Sequence, residues 1–161
     1  MNRPTAVELL LVEDNPEDLE MALRALRKAN LANHIHVARD GAEALEFIFC
    51  EGAHVGRSIA DTPKVILLDL KLPKIDGIEV LKRLKDDPRT KIIPVVMLTS
   101  SKEQSDVVAS YKLGVNSYIV KPVSFEQFNQ AVRELGLFWL LLNQPPQKAE
   151  KQAQRPDGPP G

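Results

Sequence analysis

The sequence predicts an α/β fold, a doubly wound parallel sheet of five strands with five helices on its two faces. Two observations lead to this prediction. Short apolar runs with β-branched residues recur along the chain, bounded by turn signals, as strands do. Between them lie segments whose apolar residues are three or four positions apart, as in amphipathic helices. Because the two kinds of segment alternate, parallel strands joined by crossover helices are favoured.

Five apolar runs are interpreted as the strands of this sheet. They are Val7 to Val12, Ile35 to Ala38, Val65 to Leu68, Ile92 to Leu98 and Tyr118 to Val120. Pro94 lies near the start of the fourth run, where a strand tolerates it. The runs are almost continuously apolar, which indicates a sheet buried on both faces.

Each predicted helix carries a signal that starts or ends it. Pro16 suits the first turn of the first helix, and a serine and a glutamine three residues apart form a capping box for the fifth. The remaining signals are acidic or hydroxyl residues at starts and proline or glycine at ends. In chain order the signals are Pro16, Asp40, Pro88, Ser101 with Gly114, and Ser124 with Gln127.

The chain of 161 residues fits one domain, which we predict to span residues 7–142. Residues 1–6 form an N-terminal extension. Residues 143–161 are rich in proline and glutamine and nearly devoid of apolar residues, so we expect a disordered tail. Residues 51–63 form a connection longer than most between a helix and a strand.

Composition excludes several classes of partner and location. A net charge of -1 lacks the basic surplus of nucleic-acid binders. No apolar run reaches the length of about 18 residues that suggests a membrane span, and the N-terminus lacks a secretory signal. The lone Cys50 cannot form an internal disulfide. We therefore expect a cytoplasmic protein with no nucleic-acid or membrane partner.

Polar residues follow the ends of four predicted strands. Glu13 and Asp14 follow the first, Asp69 the third, Thr99 the fourth and Lys121 the fifth. In an open parallel sheet, ligands bind beyond the carboxyl ends of the strands. If these strands are neighbours, the five side chains meet at one edge of the sheet. Any one of them alone would be an ordinary helix start or turn residue, and the prediction depends on their joint occurrence.

The chemistry of this set favours phosphoryl transfer with a metal ion. Three converging carboxylates repel one another unless a divalent cation intervenes, and oxygen ligands suit Mg²⁺. Lys121 could neutralise a phosphoryl oxygen and Thr99 could donate a hydrogen bond to another. A carboxylate beside such charges is a plausible nucleophile toward phosphorus, which makes Asp69 the candidate for an aspartyl phosphate.

Four segments resemble the receiver domains of two-component response regulators, which have a flavodoxin-like fold. The segments are LLVEDN (10–15), VILLDLKLPKIDG (65–77), PVVMLTSS (94–101) and GVNSYIVKP (114–122). The resemblance implies a stand-alone response regulator that accepts a phosphoryl group from a sensor histidine kinase in a Mg-dependent phosphorelay. It implies output through protein contacts rather than an enzymatic activity, apart from slow self-dephosphorylation.

The resemblance also assigns roles to individual residues. Glu13, Asp14 and Asp69 would bind the metal, together with the main-chain carbonyl of Lys71. Asp69 would be phosphorylated, Thr99 would be the sensing hydroxyl and Lys121 the phosphate-binding cation. Tyr118 would be the rotating aromatic switch. The peptide bond between Lys121 and Pro122 would be cis, as X-Pro bonds alone commonly are.

The end of the domain resembles the small receivers paired with phytochrome-type sensor kinases. The resembling segment is ELGLFWLLL (134–142), and the lengthened loop before Pro63 agrees with it. Consecutive apolar residues surround a helix on all sides, so some must face away from the core. We expect an interface here, most simply of a homodimer. Docking of the kinase or a folded-back tail are the alternatives. The expected interface residues are Leu137, Phe138, Trp139 and Leu141.

Three other functions fit part of the pattern. A dehalogenase-like phosphatase also uses a strand-end aspartate, Mg²⁺ and a lysine, but it wants a second acid two residues after the nucleophile, where Lys71 stands. A flavodoxin-like cofactor binder wants a loop that attracts phosphate after the first strand, and EDNPED (13–18) would repel it. A degenerate receiver that serves only as a binding module would not need a reactive residue at every position of the site. Here all of these positions are filled, which counts against that alternative.

Overall fold

A computed structural model describes residues 9–31, 35–59, 61–100 and 111–136. Its strands are β1 (Leu9–Val12), β2 (Ile35–Ala38), β3 (Val65–Asp69), β4 (Val95–Thr99) and β5 (Ser117–Val120). All pair in parallel, in the order β2-β1-β3-β4-β5. The predicted five-stranded parallel sheet is confirmed, and its order places β1, β3 and β4 in the middle.

The described residues contain four α-helices and one turn of 3₁₀ helix. The helices are α1 (Pro16–Lys28), α2 (Gly41–Ile48), α3 (Gly77–Asp86) and α4 (Phe125–Glu134), with the 3₁₀ turn at Gly52–His54. The predicted fifth helix is α4, and its capping box of Ser124 and Gln127 is present. Tyr111 and Lys112 are helical, but the rest of the predicted fourth helix, from Ser101, lies outside the described residues.

Helices cover both faces of the sheet, so the core has two layers. Because successive side chains of a strand point to opposite faces, Leu9 and Leu11 of β1 pack with α1 and α4. Leu10 and Val12 pack with α2 and α3 on the other face. These four side chains are fully buried. The predicted burial of central strands on both faces is confirmed, and it fixes the strand ends relative to one another.

The fourth predicted strand begins later than the apolar run indicates. The run starts at Ile92, but β4 begins at Val95. The backbone N–H of Ile93 donates to the carbonyl of Thr90 (3.0 Å), which is a turn rather than sheet pairing. Ile92 is 79% exposed. The boundary prediction was wrong because two apolar residues belong to this turn, and Pro94 precedes the first strand residue.

The edge strand β5 departs from the expected burial on both faces. Ser117 and Ile119 are buried, whereas Tyr118 and Val120 are exposed. In the described part of the sheet β5 pairs with β4 alone, and the ring of Tyr111 lies edge-on to that of Tyr118 at 5.8 Å between centroids. Strict alternation, rather than continuous burial, is therefore the pattern of this strand.

Two residues close to α2 have partly buried side chains. The imidazole of His36 stacks on Phe47 with ring centroids 4.0 Å apart. Cys50 is partly buried, at a positive φ of 58° just after α2. No helix in the described ranges is long and apolar enough to cross a membrane.

Candidate functional site

Three carboxylates meet where β1 and β3 end. The two strands are neighbours in register, with Val12 opposite Leu68, so the next residues, Glu13 and Asp69, lie side by side. One carboxylate oxygen from each of Glu13, Asp14 and Asp69 lies within 4.8 Å of the others. We call these three residues the acidic cluster. Glu13 and Asp69 are almost fully buried, whereas Asp14 is exposed.

The ammonium group of Lys121 reaches this cluster from the end of β5. Its Nζ lies 3.2 Å from Asp69 Oδ1 and 3.5 Å from Glu13 Oε1. The backbone N–H of Lys121 donates to the carbonyl of Thr99 (2.7 Å), which holds the residue at the sheet edge. The peptide bond that follows, to Pro122, is cis. The structure therefore brings together the cation and the carboxylates that the sequence predicted to meet.

A fourth carboxylate, which the sequence analysis missed, also binds Lys121. Asp18 Oδ2 lies 3.0 Å from Lys121 Nζ. As an acidic residue in the first turn of a helix, Asp18 has an ordinary explanation through the helix dipole. The available signal was its place in the first turn of α1, the helix that directly follows the strand end carrying Glu13 and Asp14.

Burial disfavours ionisation of the carboxylates at this site. Loss of solvent, together with the nearby charge of Asp69, raises the pKa of Glu13 to about 8, although Lys121 opposes the shift. Burial also raises the pKa of Asp69, although Lys121 opposes the shift. Burial alone would lower the pKa of Lys121, but the carboxylates of Asp18, Asp69 and Glu13 raise it above its ordinary value. One ammonium thus does not offset the cost of ionising these buried carboxylates.

The donor atoms of the acidic cluster are the test of whether a divalent metal fits the site. The donors are all carboxylate oxygens, two of them buried and close enough to share one ion. Hard divalent cations prefer such ligands. The backbone of Lys71 is at the same place, since its N–H lies 3.4 Å from Asp69 Oδ1. The residues fit a divalent metal bound at the acidic cluster.

Thr99 is the last residue of β4 and is buried at the adjacent strand end. Its hydroxyl donates to the carbonyl of Ser100 (3.0 Å). Tyr118, on β5 opposite Met97, is 41% exposed with its ring against Tyr111. The predicted interface residues Leu137, Phe138, Trp139 and Leu141 lie outside the described residues.

A glycine that the sequence analysis did not single out fixes the start of α3 against the site. A Cβ on Gly77 would lie 2.1 Å from the carbonyl oxygen of Asp69. The N–H of Gly77 donates to the carbonyl of Leu70 (2.9 Å). The sequence contains a signal for this contact, because Gly77 directly follows Asp76, the N-cap residue of α3. A glycine at such a position permits the close approach of another backbone segment.

Comparison with known proteins gives a family match over most of the chain. The family model for the response regulator receiver domain matches residues 9–133. The probable methanogenesis regulatory protein FilR2 of Methanothrix harundinacea is 42% identical over 139 residues, which are 86% of each chain. The response regulator Rcp1 of Synechocystis is 39% identical over 132 residues, which are 82% of this chain and 88% of Rcp1.

Solved structures give the same result. The bacteriophytochrome response regulator AtBRR has a TM-score of 0.74 at 54% identity, covering 84% of this chain and 96% of AtBRR. The phosphorylated cyanobacterial phytochrome response regulator RcpA has a TM-score of 0.67 at 42% identity, covering 82% and 92%. The Mn²⁺-bound form of Rcp1 has a TM-score of 0.65 at 36% identity, covering 85% and 95%. The resemblance seen in the sequence is confirmed.

Proposed function

The chain belongs to the response regulator receiver domain family, and from that premise we propose that it accepts a phosphoryl group on Asp69 from a sensor histidine kinase. The observation that carries the proposal is the buried Asp69 carboxylate, held 3.2 Å from Lys121 Nζ beside Glu13 and Asp14. Such a site combines a nucleophile with the charges that a transferring phosphoryl group needs.

The proposed step is an exchange of one bond for another. An ionised carboxylate oxygen of Asp69 attacks phosphorus, and a P–O bond forms as the P–N bond to the kinase histidine breaks. The electron pair of that bond returns to the imidazole nitrogen. Lys121 Nζ, already at the attacking carboxylate, holds a phosphoryl oxygen and offsets the added charge. Positioning and charge neutralisation account for most of the rate in such transfers.

We propose Mg²⁺ as the metal of this site, with Glu13, Asp14, Asp69 and the carbonyl of Lys71 as its protein ligands. When bound, Mg²⁺ would supply positive charge for the phosphoryl oxygens. The support is the all-oxygen donor set and the raised pKa of Glu13, which shows that Lys121 alone does not stabilise the ionised carboxylates. The relative Rcp1 has been solved in an Mn²⁺-bound form.

We propose that Thr99 and Tyr118 report the modification to the protein surface. The hydroxyl of Thr99, at the strand end next to Asp69, would turn to donate to a phosphoryl oxygen. Tyr118 would then rotate inward from its exposed position. A coupling of about 1–3 kcal/mol is sufficient for such a two-state change. NMR spectra with and without beryllofluoride test it, because shifts confined to the pocket, with none around Tyr118, would contradict it.

For partners, we propose a phytochrome-type sensor kinase and a second copy of the chain. The kinase assignment is supported by the relatives AtBRR and RcpA, both described as phytochrome response regulators. The homodimer is supported by the apolar run of residues 137–142. In this proposal the protein acts in the cytoplasm as a stand-alone regulator through protein contacts, without catalysing a reaction on another substrate.

The test of the acceptor site is incubation with acetyl phosphate and Mg²⁺, followed by intact-mass measurement. We expect a gain of ~80 Da, one phosphoryl group in place of a proton. Asp69→Asn and metal chelation should each abolish it. Asp86→Asn is the matched control, because it removes an exposed carboxylate at the end of α3 and should label normally. Undiminished labelling of Asp69→Asn would refute the assignment.

A further inference from the structure

Among the described residues, the shortest ion pair of Lys121 is with a residue outside the acidic cluster. Its Nζ lies 3.0 Å from Asp18 Oδ2, compared with 3.2 Å to Asp69 and 3.5 Å to Glu13. An ammonium group has three protons to donate, and here three carboxylates surround it. Asp69 is the proposed acceptor and Glu13 is a proposed metal ligand, so of these three partners Asp18 is the one with neither role.

The start of α1 sets the position of Asp18 without using its side chain. The backbone N–H of Asp18 donates to the side chain of the N-cap residue Asn15 (2.9 Å). The next N–H, of Leu19, donates to the carbonyl of Asn15 (2.8 Å). The carboxylate of Asp18 therefore projects from a fixed point of the backbone, and it pairs with Lys121 rather than capping its own helix.

Lysine needs such a constraint more than the other groups of the site do. Its charge is at the end of a flexible four-carbon stem. When Asp69 becomes an acyl phosphate, the oxygen that faces Lys121 no longer carries a full carboxylate charge. We propose that Asp18 is a positioning residue that keeps Lys121 Nζ over the acceptor carboxylate before and during the transfer. This inference rests on the proposed phosphorylation of Asp69.

The experiment compares labelling rates with acetyl phosphate and Mg²⁺ in three variants. Asp18→Ala should label about tenfold more slowly, the order of effect expected when a charged group is misplaced by less than 1 Å. Asp18→Asn should recover most of that rate, because its amide oxygen still accepts a hydrogen bond from the ammonium. Glu17→Ala is the matched control, since it removes a first-turn acidic charge from an exposed side chain of the same helix.

A double-mutant cycle separates positioning from general structural damage. If Asp18 acts through Lys121, the change Asp18→Ala should cost no further rate in a Lys121→Ala background. Additive losses would overturn the inference, as would an unchanged or faster rate for Asp18→Ala alone. Faster labelling would mean that Asp18 competes with the phosphoryl group for the ammonium.

A second measurement keeps the inference separate from the proposed function. NMR of lysine side chains reports Lys121 directly, and its resonances should move in Asp18→Ala but not in Glu17→Ala. If the wild-type protein does not label at all, the proposed function fails. The spectrum still shows whether Asp18 contacts Lys121. Unmoved Lys121 resonances in Asp18→Ala would overturn the inference on their own.

Discussion

The backbone of Gly77 lies so close to Asp69 that an added methyl group would be 2.1 Å from the Asp69 carbonyl oxygen. The atom it would meet is backbone, which cannot turn away as a side chain could. Gly77 opens α3, and its own N–H donates to the carbonyl of Leu70. The glycine therefore sets how closely α3 packs on the strand that carries the acceptor.

From this contact we predict that Gly77→Ala lowers the free energy of unfolding by about 2–3 kcal/mol, within the range for overpacked sites. It should also slow the labelling of Asp69, because α3 and the end of β3 must separate. Urea denaturation and intact-mass labelling measure the two effects. Gly56→Ala is the control, because a Cβ at Gly56 would meet no atom within 4 Å. Equal stability of the two variants would contradict the prediction.

Binding of Mg²⁺ should stabilise the folded protein, because the acidic cluster exists only when β1 and β3 are paired. At ten times its dissociation constant, the ion should add about 1.4 kcal/mol to the free energy of unfolding. Thermal unfolding with and without chelator measures the gain. Asp69→Asn should lose most of it, and Asp86→Asn should keep it. A gain retained in full by Asp69→Asn would place the ion elsewhere.

The stacked His36 should make stability depend on pH. Burial lowers the pKa of His36 below its ordinary 6.5, and the charges of His54 and Arg57 lower it further, while Glu43 opposes them. His36 Nε2 is buried with no hydrogen-bond partner among the described residues. The unfolded chain then binds a proton that the folded protein does not, so stability decreases as pH falls from 6.5 toward the folded pKa.

Substitution of His36 isolates this effect from the other histidines. His36→Phe cannot titrate and keeps a ring to stack on Phe47. Its unfolding free energy should therefore depend less on pH between about 7 and 5 than that of the wild type, because an unperturbed histidine titrates near about 6.5. Urea denaturation at several pH values gives the comparison. Identical pH profiles for the two proteins would show that His36 does not contribute.

Lys71 should slow the loss of the phosphoryl group. It stands two residues after Asp69 and its side chain is exposed at the turn beyond β3. An amide or acid at this position, beside the proposed acceptor, could orient a hydrolytic water. An ammonium has no acceptor for a water proton. Lys71→Asn should therefore hydrolyse its acyl phosphate faster, as measured by the decay of the phosphorylated mass. Equal or slower decay would refute this role.

The apolar run of residues 137–142 should support a homodimer. Light scattering of the isolated protein should give twice the chain mass, and Phe138→Asp with Leu141→Asp should give a monomer, because buried charges without partners are costly. Val55→Asp is the control, since it places the same charge at an apolar side chain that is already exposed. A monomer at all practical concentrations, phosphorylated or not, would leave docking of the kinase as the use of this segment.

The sequence by itself determined the sheet and the composition of the site. Alternating apolar runs and helical segments predicted a parallel sheet, and a parallel sheet collects the residues after its strands at one edge. Glu13, Asp69 and Lys121 could therefore be placed together from their positions after three strands, although Glu13 and Lys121 are 108 residues apart. Local patterns were sufficient because the parallel topology places the carboxyl ends of separate strands next to one another.

Tertiary structure decided what depends on distances between separate elements. The pairing of Asp18 with Lys121 joins the first turn of α1 to the residue after β5, and the requirement for Gly77 follows from how closely α3 approaches β3. The stacking of His36 on Phe47 likewise joins a strand to a helix. Helix and strand patterns specify which face of an element is buried. Which atoms touch is set by side-chain packing between elements, and that packing depends on the positions of all the elements together.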